Sequence, residues 1–124
     1  MSRKHPKKHH LFINWLRTNR SRFPVQPVIH HISNSSLQVD LAGAHSAFRC
    51  RLDYTATGGP WLAVSPKGSQ EEVVIFYGAE IKTSHGWTSG ALRPEDVRYW
   101  ETRQELWIAL CFEQFLQWCG QNCT

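Results

Sequence analysis

The sequence predicts an α+β domain, with an N-terminal helix, an antiparallel sheet of four to five strands and a long C-terminal helix packed on that sheet. Apolar residues recur at helical spacing near both ends of the chain, and in the middle they alternate with polar residues between turn-forming segments. The 124 residues are 41% hydrophobic and 19% charged, which favours one globular domain over a disordered chain. We expect a single domain over residues 9–124, preceded by a basic arm over residues 1–8.

The N-terminal segment divides into an arm and a helix. Residues 1–8 contain almost no apolar side chain that could offset the entropy of ordering them, so we expect a solvated arm. From His9 to Ser21, apolar side chains recur at helical spacing and predict a short amphipathic helix. Pro24 and Pro27 end this helix, since proline cannot donate the next helical hydrogen bond. The apolar positions of the helix are Leu11, Phe12, Trp15 and Leu16.

The middle of the chain predicts a meander of strands between residues 28 and 83. The segments Leu37–Leu41 and Phe48–Leu52 alternate apolar and polar residues with the period of a half-buried strand. Turn residues bracket a third strand around Trp61–Val64, and the continuous apolar run Val73–Tyr77 suits a central strand. Short connections favour antiparallel pairing. We expect a loop from Ser84 to Gly90 after the last strand.

The C-terminal helix is predicted from about Pro94 to Cys119. Proline suits a first helical turn, and the acidic residues that follow it favour the positive end of the helix dipole. A stripe of about 140° carries most of the large apolar residues and should face the sheet. Other apolar residues lie outside this stripe, which implies a second contact with the N-terminal helix, another subunit or a partner. These candidate interface residues are Tyr99, Leu106, Leu110 and Leu116.

The four cysteines and the length of the apolar runs indicate the environment of the protein. Cys111 and Cys119 would lie about 12 Å apart along a helix, too far to bridge, so we expect free, mostly buried thiols. The longest apolar stretch, Leu106–Phe112, is far shorter than the roughly 20 residues that span a bilayer. We find no signal-peptide pattern. We therefore expect a cytoplasmic protein with no membrane partner.

Positive charge is concentrated at one end of the sequence. Residues 1–23 contain seven basic residues and no acidic one, whereas the rest contains seven basic and ten acidic residues, so +7 and −3 give the net charge of +4. Such a segment could bind phosphates without sequence preference, although a solvated tail is the commoner role. The candidate nucleic-acid-binding residues are Arg3, Lys4, Lys7, Lys8, Arg17, Arg20 and Arg22.

Several patterns in the sequence bear on whether the protein has a catalytic, metal or ligand site. The loop Ser84–Gly90 offers a histidine and hydroxyls, but no orienting carboxylate is singled out, so no catalytic residue is assigned. The histidines lack the spacing of a metal site, and we expect neither metal nor cofactor. A ligand pocket between the sheet and the C-terminal helix would be lined by Trp61, Tyr77, His85 and Trp87.

One strand also carries an outward polar row. Arg49, Arg51 and Asp53 share one face and, with Gln38 and Asp40 of a neighbouring strand, form either a recognition surface or a solvated sheet face.

The leading interpretation is a small non-enzymatic binding protein that acts through a protein partner, as an inhibitor, immunity-type or adaptor protein does. Homodimerisation through the C-terminal helix would be part of this function. One alternative is sequence-nonspecific nucleic-acid binding through the basic N-terminal segment. The other is an enzyme or small-ligand protein that uses the pocket between sheet and helix.

Overall fold

A computed structural model describes residues 7–33, 36–54, 59–78, 80–88 and 104–124, with the backbone alone at Lys7, Lys8 and residues 104–107. The described residues form two α-helices and a seven-stranded sheet, and a short 3-10 helix, Arg20–Arg22, follows the first α-helix. The helices are α1 (Lys7–Thr18) and α2 (Gln104–Asn122). The strands are β1 (Pro27–Ile32), β2 (Ser36–Ala42), β3 (Ala47–Tyr54), β4 (Pro60–Pro66), β5 (Val74–Tyr77), β6 (Glu80–Thr83) and β7 (Gly86–Thr88).

The sheet is an antiparallel meander in which the strands follow each other in chain order. The predicted α+β class and antiparallel pairing are confirmed, but the sheet has seven strands where four to five were predicted. The extra strands have weak patterns: β1 contains a bulge between Ile29 and His31, and β7 has only three residues. The predicted loop Ser84–Gly90 therefore includes a tight turn and β7, with Gly86 at φ +98° where the turn ends.

The helices differ from their predicted limits at the ends that the structure describes. Helix α1 begins at Lys7, two residues before its predicted start and inside the predicted arm, and it ends at Thr18. Helix α2 continues to Asn122, three residues past its predicted end. The predicted beginning of this helix at Pro94 lies outside the described residues, as do Arg3 and Lys4 of the arm.

The core lies between one face of the sheet and the two helices. The ring centroids of Phe76 and Phe115 are 6.1 Å apart, which places α2 against β5. Helix α1 packs on α2, with the rings of Phe12 and Phe112 edge to face at 4.9 Å. The sheet contributes a buried set on its inner face, the face that the helices cover: Leu37, Val39, Leu41, Cys50, Leu52, Leu62, Val64, Val74 and Phe76.

The burial of Leu116 changes the interpretation of the apolar residues on α2. Leu116 was predicted as an interface residue, but it is only 4% exposed and belongs to the main core cluster, so it is not available to an external partner. Helix α1 contacts Phe112 and Phe115, which belong to the stripe predicted to face the sheet. Leu110 is half-buried, the side chain of Leu106 is not described, and Tyr99 lies outside the described residues.

The last residues of α2 and those that follow it dock against the β2–β3 turn. The main-chain N–H of His45 donates to the carbonyl of Thr124 at 3.0 Å, and the N–H of Thr124 donates to Ser46 Oγ at 2.9 Å. A Cβ atom on Gly43 would lie 2.5 Å from the carbonyl carbon of Thr124 and 2.7 Å from Val25 Cγ1. A glycine at position 43 is therefore required for this close approach.

All four cysteines are free and buried, as predicted. Burial raises the pKa of the Cys111 thiol to about 12 and that of Cys50 well above its ordinary value. Neutral, buried thiols are poor nucleophiles. Cys50 and Cys111 therefore act as core residues.

Within the described segments, neither helix combines the length and the hydropathy that crossing a membrane requires.

Candidate functional site

The outer face of the sheet, which is the face opposite α1 and α2, carries the aromatic and charged side chains of the candidate site. Side chains alternate between faces along a strand, and the register aligns those of neighbouring strands into rows. One row across six strands joins Gln38, Arg51, Ala63, Ile75, Lys82 and Trp87. A second row beside it joins Ser36, Asp53, Trp61, Tyr77 and Glu80.

Three aromatic side chains meet on this face and form what we call the aromatic cluster: Trp61, Tyr77 and Trp87. The ring of Trp61 lies 5.6 Å from Tyr77 and 5.6 Å from Trp87, centroid to centroid. Lys82 Nζ lies 6.0 Å from the centre of the Trp87 ring, at the limit of a cation–π contact. Trp87 is 44% exposed. The cluster therefore presents a large apolar contact area beside a positive charge.

The predicted pocket placed these residues between the sheet and the long helix, whereas the structure places them on the outer face. Leu62, next to Trp61, fills the inner face and is fully buried. The sequence could not distinguish the two faces here, because the run from Trp61 to Val64 is apolar at every position. His85, the fourth predicted residue, lies exposed in the β6–β7 turn, where its main-chain N–H donates to Thr83 Oγ1 at 3.2 Å.

Asp40 organises the charges at the other end of the outer face. Arg49 Nε donates to Asp40 Oδ1 at 2.8 Å, while Lys67 Nζ and His30 Nδ1 lie 3.6 Å and 3.8 Å from Asp40 Oδ2. The hydrogen bond from Arg49 is the main reason that the pKa of Asp40 is lowered, with smaller contributions from the charges of Arg49, Lys67 and His30. Partial burial opposes this shift. The carboxylate is thus held ionised among three basic side chains.

A second arginine, two residues further along β3, is held in the same way. Arg51 Nε donates to Asp53 Oδ2 at 2.9 Å. Arg49 and Arg51 lie two residues apart on one strand, so their side chains emerge about 6.6 Å apart on the same face. In both arginines, Nε is bonded to a carboxylate, and the structure records no protein partner for the terminal nitrogens among the residues it describes.

These arginines border the polar hollow, a depression of about 550 Å³ on the outer face. The segment between β4 and β5 forms one wall, and the small side chains of Ala63 and Ser65 leave the space open. The hollow is lined by Gln38, Arg49, Arg51, Ala63, Ser65, Pro66, Gly68, Ser69, Gln70 and Glu72. Guanidinium, hydroxyl and amide groups thus converge on one space.

The predicted nucleic-acid-binding residues are only partly brought together. Arg17 and Arg20 are exposed and border a groove of about 260 Å³ between α1 and β1, next to apolar side chains such as Ile13 and Ile29. Arg22 donates to Asn19 Oδ1 at 2.9 Å and pairs with both carboxylate oxygens of Glu113 on α2. Arg22 therefore links the 3-10 helix to α2.

Sequence reasoning identified Arg49, Arg51, Asp53, Gln38 and Asp40 as a polar row but missed the hollow. Lys67, Ser69 and Glu72 reach the site from the β4–β5 connection, and a single strand pattern contains no signal for them. Pairing β3 with β4 in register would have placed Ser65 beside Arg49 and Ala63 beside Arg51. The turn residues that follow Pro66 are the signal that could have found the wall.

In the part of the chain that the structure describes, no three His, Cys, Asp or Glu residues are grouped closely enough to hold a metal ion.

Comparisons of the chain with protein-family models, with curated proteins and with solved structures found no match.

Proposed function

We propose that the protein is a binding module for another protein and that the outer face of the sheet is its contact surface. The observation that carries this proposal is the aromatic cluster beside Lys82, on a face that neither described helix covers. Tryptophan, tyrosine and arginine dominate the energetic centres of protein interfaces. An apolar centre with a polar rim is the common arrangement of such surfaces.

The charge of the outer face favours a protein partner over nucleic acid. Among the described residues that form this face or border the polar hollow, the charges of four basic and four acidic side chains cancel. A surface that tracks a phosphate backbone needs a marked excess of positive charge. The basic set is Arg49, Arg51, Lys67 and Lys82, and the acidic set is Asp40, Asp53, Glu72 and Glu80.

The alternative of an enzyme receives less support from the geometry. It depends on His85, whose side chain is exposed in the β6–β7 turn rather than set in a pocket. Catalytic groups need a base within hydrogen-bond reach of a nucleophile and an orienting partner.

Nucleic-acid binding stays as a second candidate function because of Arg17 and Arg20. Both are exposed, and the structure assigns neither to an ion pair within its described segments. Binding through them would weaken steeply with salt. Binding through the aromatic cluster would depend much less on salt, since it buries apolar surface.

The test is capture of partners from a lysate by the full chain at 50 mM and at 300 mM salt, with and without nuclease. We compare the wild type with Trp87→Ala and with Leu11→Ala, which truncates a similarly exposed apolar residue on α1. We expect a protein that survives high salt and nuclease, that Leu11→Ala retains and that Trp87→Ala loses by roughly thirty-fold, as for an interface hot spot of about 2 kcal/mol.

Equal retention by the two variants would remove the outer face from the proposal. Loss of the captured material on nuclease treatment would transfer support to the nucleic-acid alternative. Light scattering on the purified chain covers the case in which the partner is a second copy: a dimer that Trp87→Ala dissociates would identify the outer face as the homodimer interface.

A further inference from the structure

We propose that the polar hollow binds a carboxylate, the side chain of an aspartate or glutamate on the surface of the partner. This inference rests on the proposed function and adds the chemistry of one contact to it. The hollow lies on the outer face at Arg51, in the same row of side chains as Trp87 of the aromatic cluster. One partner could therefore contact both.

The two arginines are already positioned to receive an anion. Asp40 holds Arg49 through Nε at 2.8 Å, and Asp53 holds Arg51 through Nε at 2.9 Å. Since the described residues provide no partner for the terminal nitrogens, each guanidinium can offer them to a second acceptor. Fixing the long arginine side chains before binding reduces the entropy lost when a ligand engages them.

The shape of the hollow fits a small planar group. The floor consists of short side chains, since Ala63 stands opposite Arg51 and Ser65 opposite Arg49. A guanidinium presents parallel N–H donors that match the two oxygens of a carboxylate. Ser65, Ser69 and the amides of Gln38 and Gln70 line the same space and can bond the remaining lone pairs.

The charge balance favours a carboxylate over a phosphate. Arg49, Arg51 and Glu72 line the hollow, which gives it a net charge of +2 − 1 = +1. Asp40 and Asp53 each bond one guanidinium through Nε, and Lys67 accompanies Asp40 at 3.6 Å. A singly charged carboxylate matches the net charge of +1 that the lining carries, whereas a phosphate monoester with nearly two negative charges exceeds it.

Glu72 has a second consequence for the site. It borders the hollow on the β4–β5 connection and is exposed, and the structure records no ion pair for it within the described residues. A carboxylate that borders the same hollow as two arginines competes with an external one. Replacing it by glutamine should therefore increase the affinity for an anionic ligand several-fold.

The test is an NMR titration of the full chain with capped aspartate as the probe. Capped asparagine supplies the neutral control, and inorganic phosphate supplies the other anion. We expect capped aspartate to shift the Nε–H signals of Arg49 and Arg51 and the amides of Gly68 and Ser69, with half-saturation in the millimolar range. Capped asparagine should produce no saturable shift, and phosphate should bind at least threefold more weakly.

Matched variants then locate the site. Arg51→Gln should weaken binding at least tenfold, whereas Arg17→Gln, which removes the same charge on α1, should leave it unchanged. Ala63→Leu should also weaken binding tenfold by filling the floor without changing any charge, and Glu72→Gln should strengthen it. If Ala63→Leu does not fold, Arg51→Gln and Arg17→Gln decide the question on their own.

The inference is overturned if capped asparagine shifts the same signals, if phosphate binds more tightly than aspartate, or if Arg51→Gln and Arg17→Gln behave alike. These outcomes are separable from failure of the proposed function. A captured protein that depends on Trp87 but not on Arg51 would leave the binding module standing without the carboxylate contact. Saturable aspartate binding with no captured protein would overturn the module alone.

Discussion

The rings of Phe12 and Phe112 meet edge to face, with 4.9 Å between their centroids. They join two helices of which one precedes the strands in the sequence and the other follows them. Both side chains are buried, and Trp15 and Phe115 complete the contact. Edge-to-face aromatic pairs stabilise a fold beyond the area that they bury. This contact fastens α1 to α2 above the inner face of the sheet.

Removing one ring of this contact should destabilise the fold. We expect Phe12→Ala to lower the free energy of unfolding by about 3 to 5 kcal/mol, because it leaves a cavity between the helices. Urea unfolding followed by tryptophan fluorescence measures this loss. Leu11→Ala, at an exposed neighbouring position, should change stability by less than about 1 kcal/mol. A similar loss in both variants would show that α1 is not held by its Phe12 face.

A methyl group at position 43 should separate Thr124 from the β2–β3 turn. The Cβ atom of Gly43→Ala would lie well inside contact distance of main-chain atoms of Thr124, so the backbone must move. We expect a destabilisation of about 1 to 3 kcal/mol, as for other overpacked sites. Thermal unfolding provides the measurement.

Gly120→Ala is the matched control for that substitution. Gly120 lies in α2, and a Cβ atom there would meet no other atom within 4 Å. Alanine in a helix is favoured over glycine by about 0.5 to 1 kcal/mol, so this variant should be slightly more stable than the wild type. If Gly43→Ala were as stable as Gly120→Ala, the docked position of Thr124 would be wrong.

The ion cluster around Asp40 should make stability depend on pH at the acidic side. The folded protein lowers the pKa of Asp40 below its value of about 4 in the unfolded chain. Its contribution is therefore complete above about pH 4 and is lost as the pH falls through the lowered folded pKa. We expect the free energy of unfolding of the wild type to exceed that of Asp40→Asn at pH 7, and the difference to shrink below about pH 4.

Chemical denaturation of both proteins between pH 7 and pH 2 checks this expectation. Glu71→Gln serves as a control, because Glu71 is exposed and belongs to no ion pair that the structure describes. A difference that is the same at every pH would mean that Asp40 acts through packing and not through its charge.

The thiols should be protected in the folded protein. Cys50, Cys111, Cys119 and Cys123 are all fully buried, and burial raises the pKa of Cys50 and Cys111. A thiol-specific reagent at pH 8 should label the native chain at least a hundredfold more slowly than the chain in denaturant, where all four cysteines react. Rapid native labelling of any one of them would show that its part of the core opens.

The sequence predicted the parts of the fold that its periodicity controls. The alternation in β2 and β3 identified the buried positions Leu37, Val39, Leu41, Cys50 and Leu52 correctly, because one face of those strands is covered and the other is polar. The helical spacing likewise identified Phe12 and Leu16 on the buried side of α1, but Leu11, which belonged to the same predicted apolar set, is 49% exposed. When one face of a strand or helix is buried and the other is exposed, the spacing of its apolar residues indicates which face is buried.

The candidate site was less predictable because it depends on register and on connections. Ala63 and Trp61 lie on the outer face although their strand is apolar throughout, so periodicity alone could not assign them. The companions of Asp40 come from three segments, with His30 on β1, Arg49 on β3 and Lys67 in a turn. Leu116 was predicted as an interface residue because it lies outside the apolar stripe of the helix, yet it is only 4% exposed and belongs to the main core cluster.

The packing of α1 against α2 also has a consequence for synthesis of the chain on the ribosome. Phe12 and Phe112 are separated by 112 − 12 = 100 positions, whereas each strand of the meander pairs with a neighbour made moments earlier. At about 5 to 20 residues per second, roughly 5 to 20 seconds pass between synthesis of the N-terminal helix and synthesis of the helix that covers its apolar side. Throughout that interval the apolar side of the helix stays exposed on the growing chain, which favours aggregation.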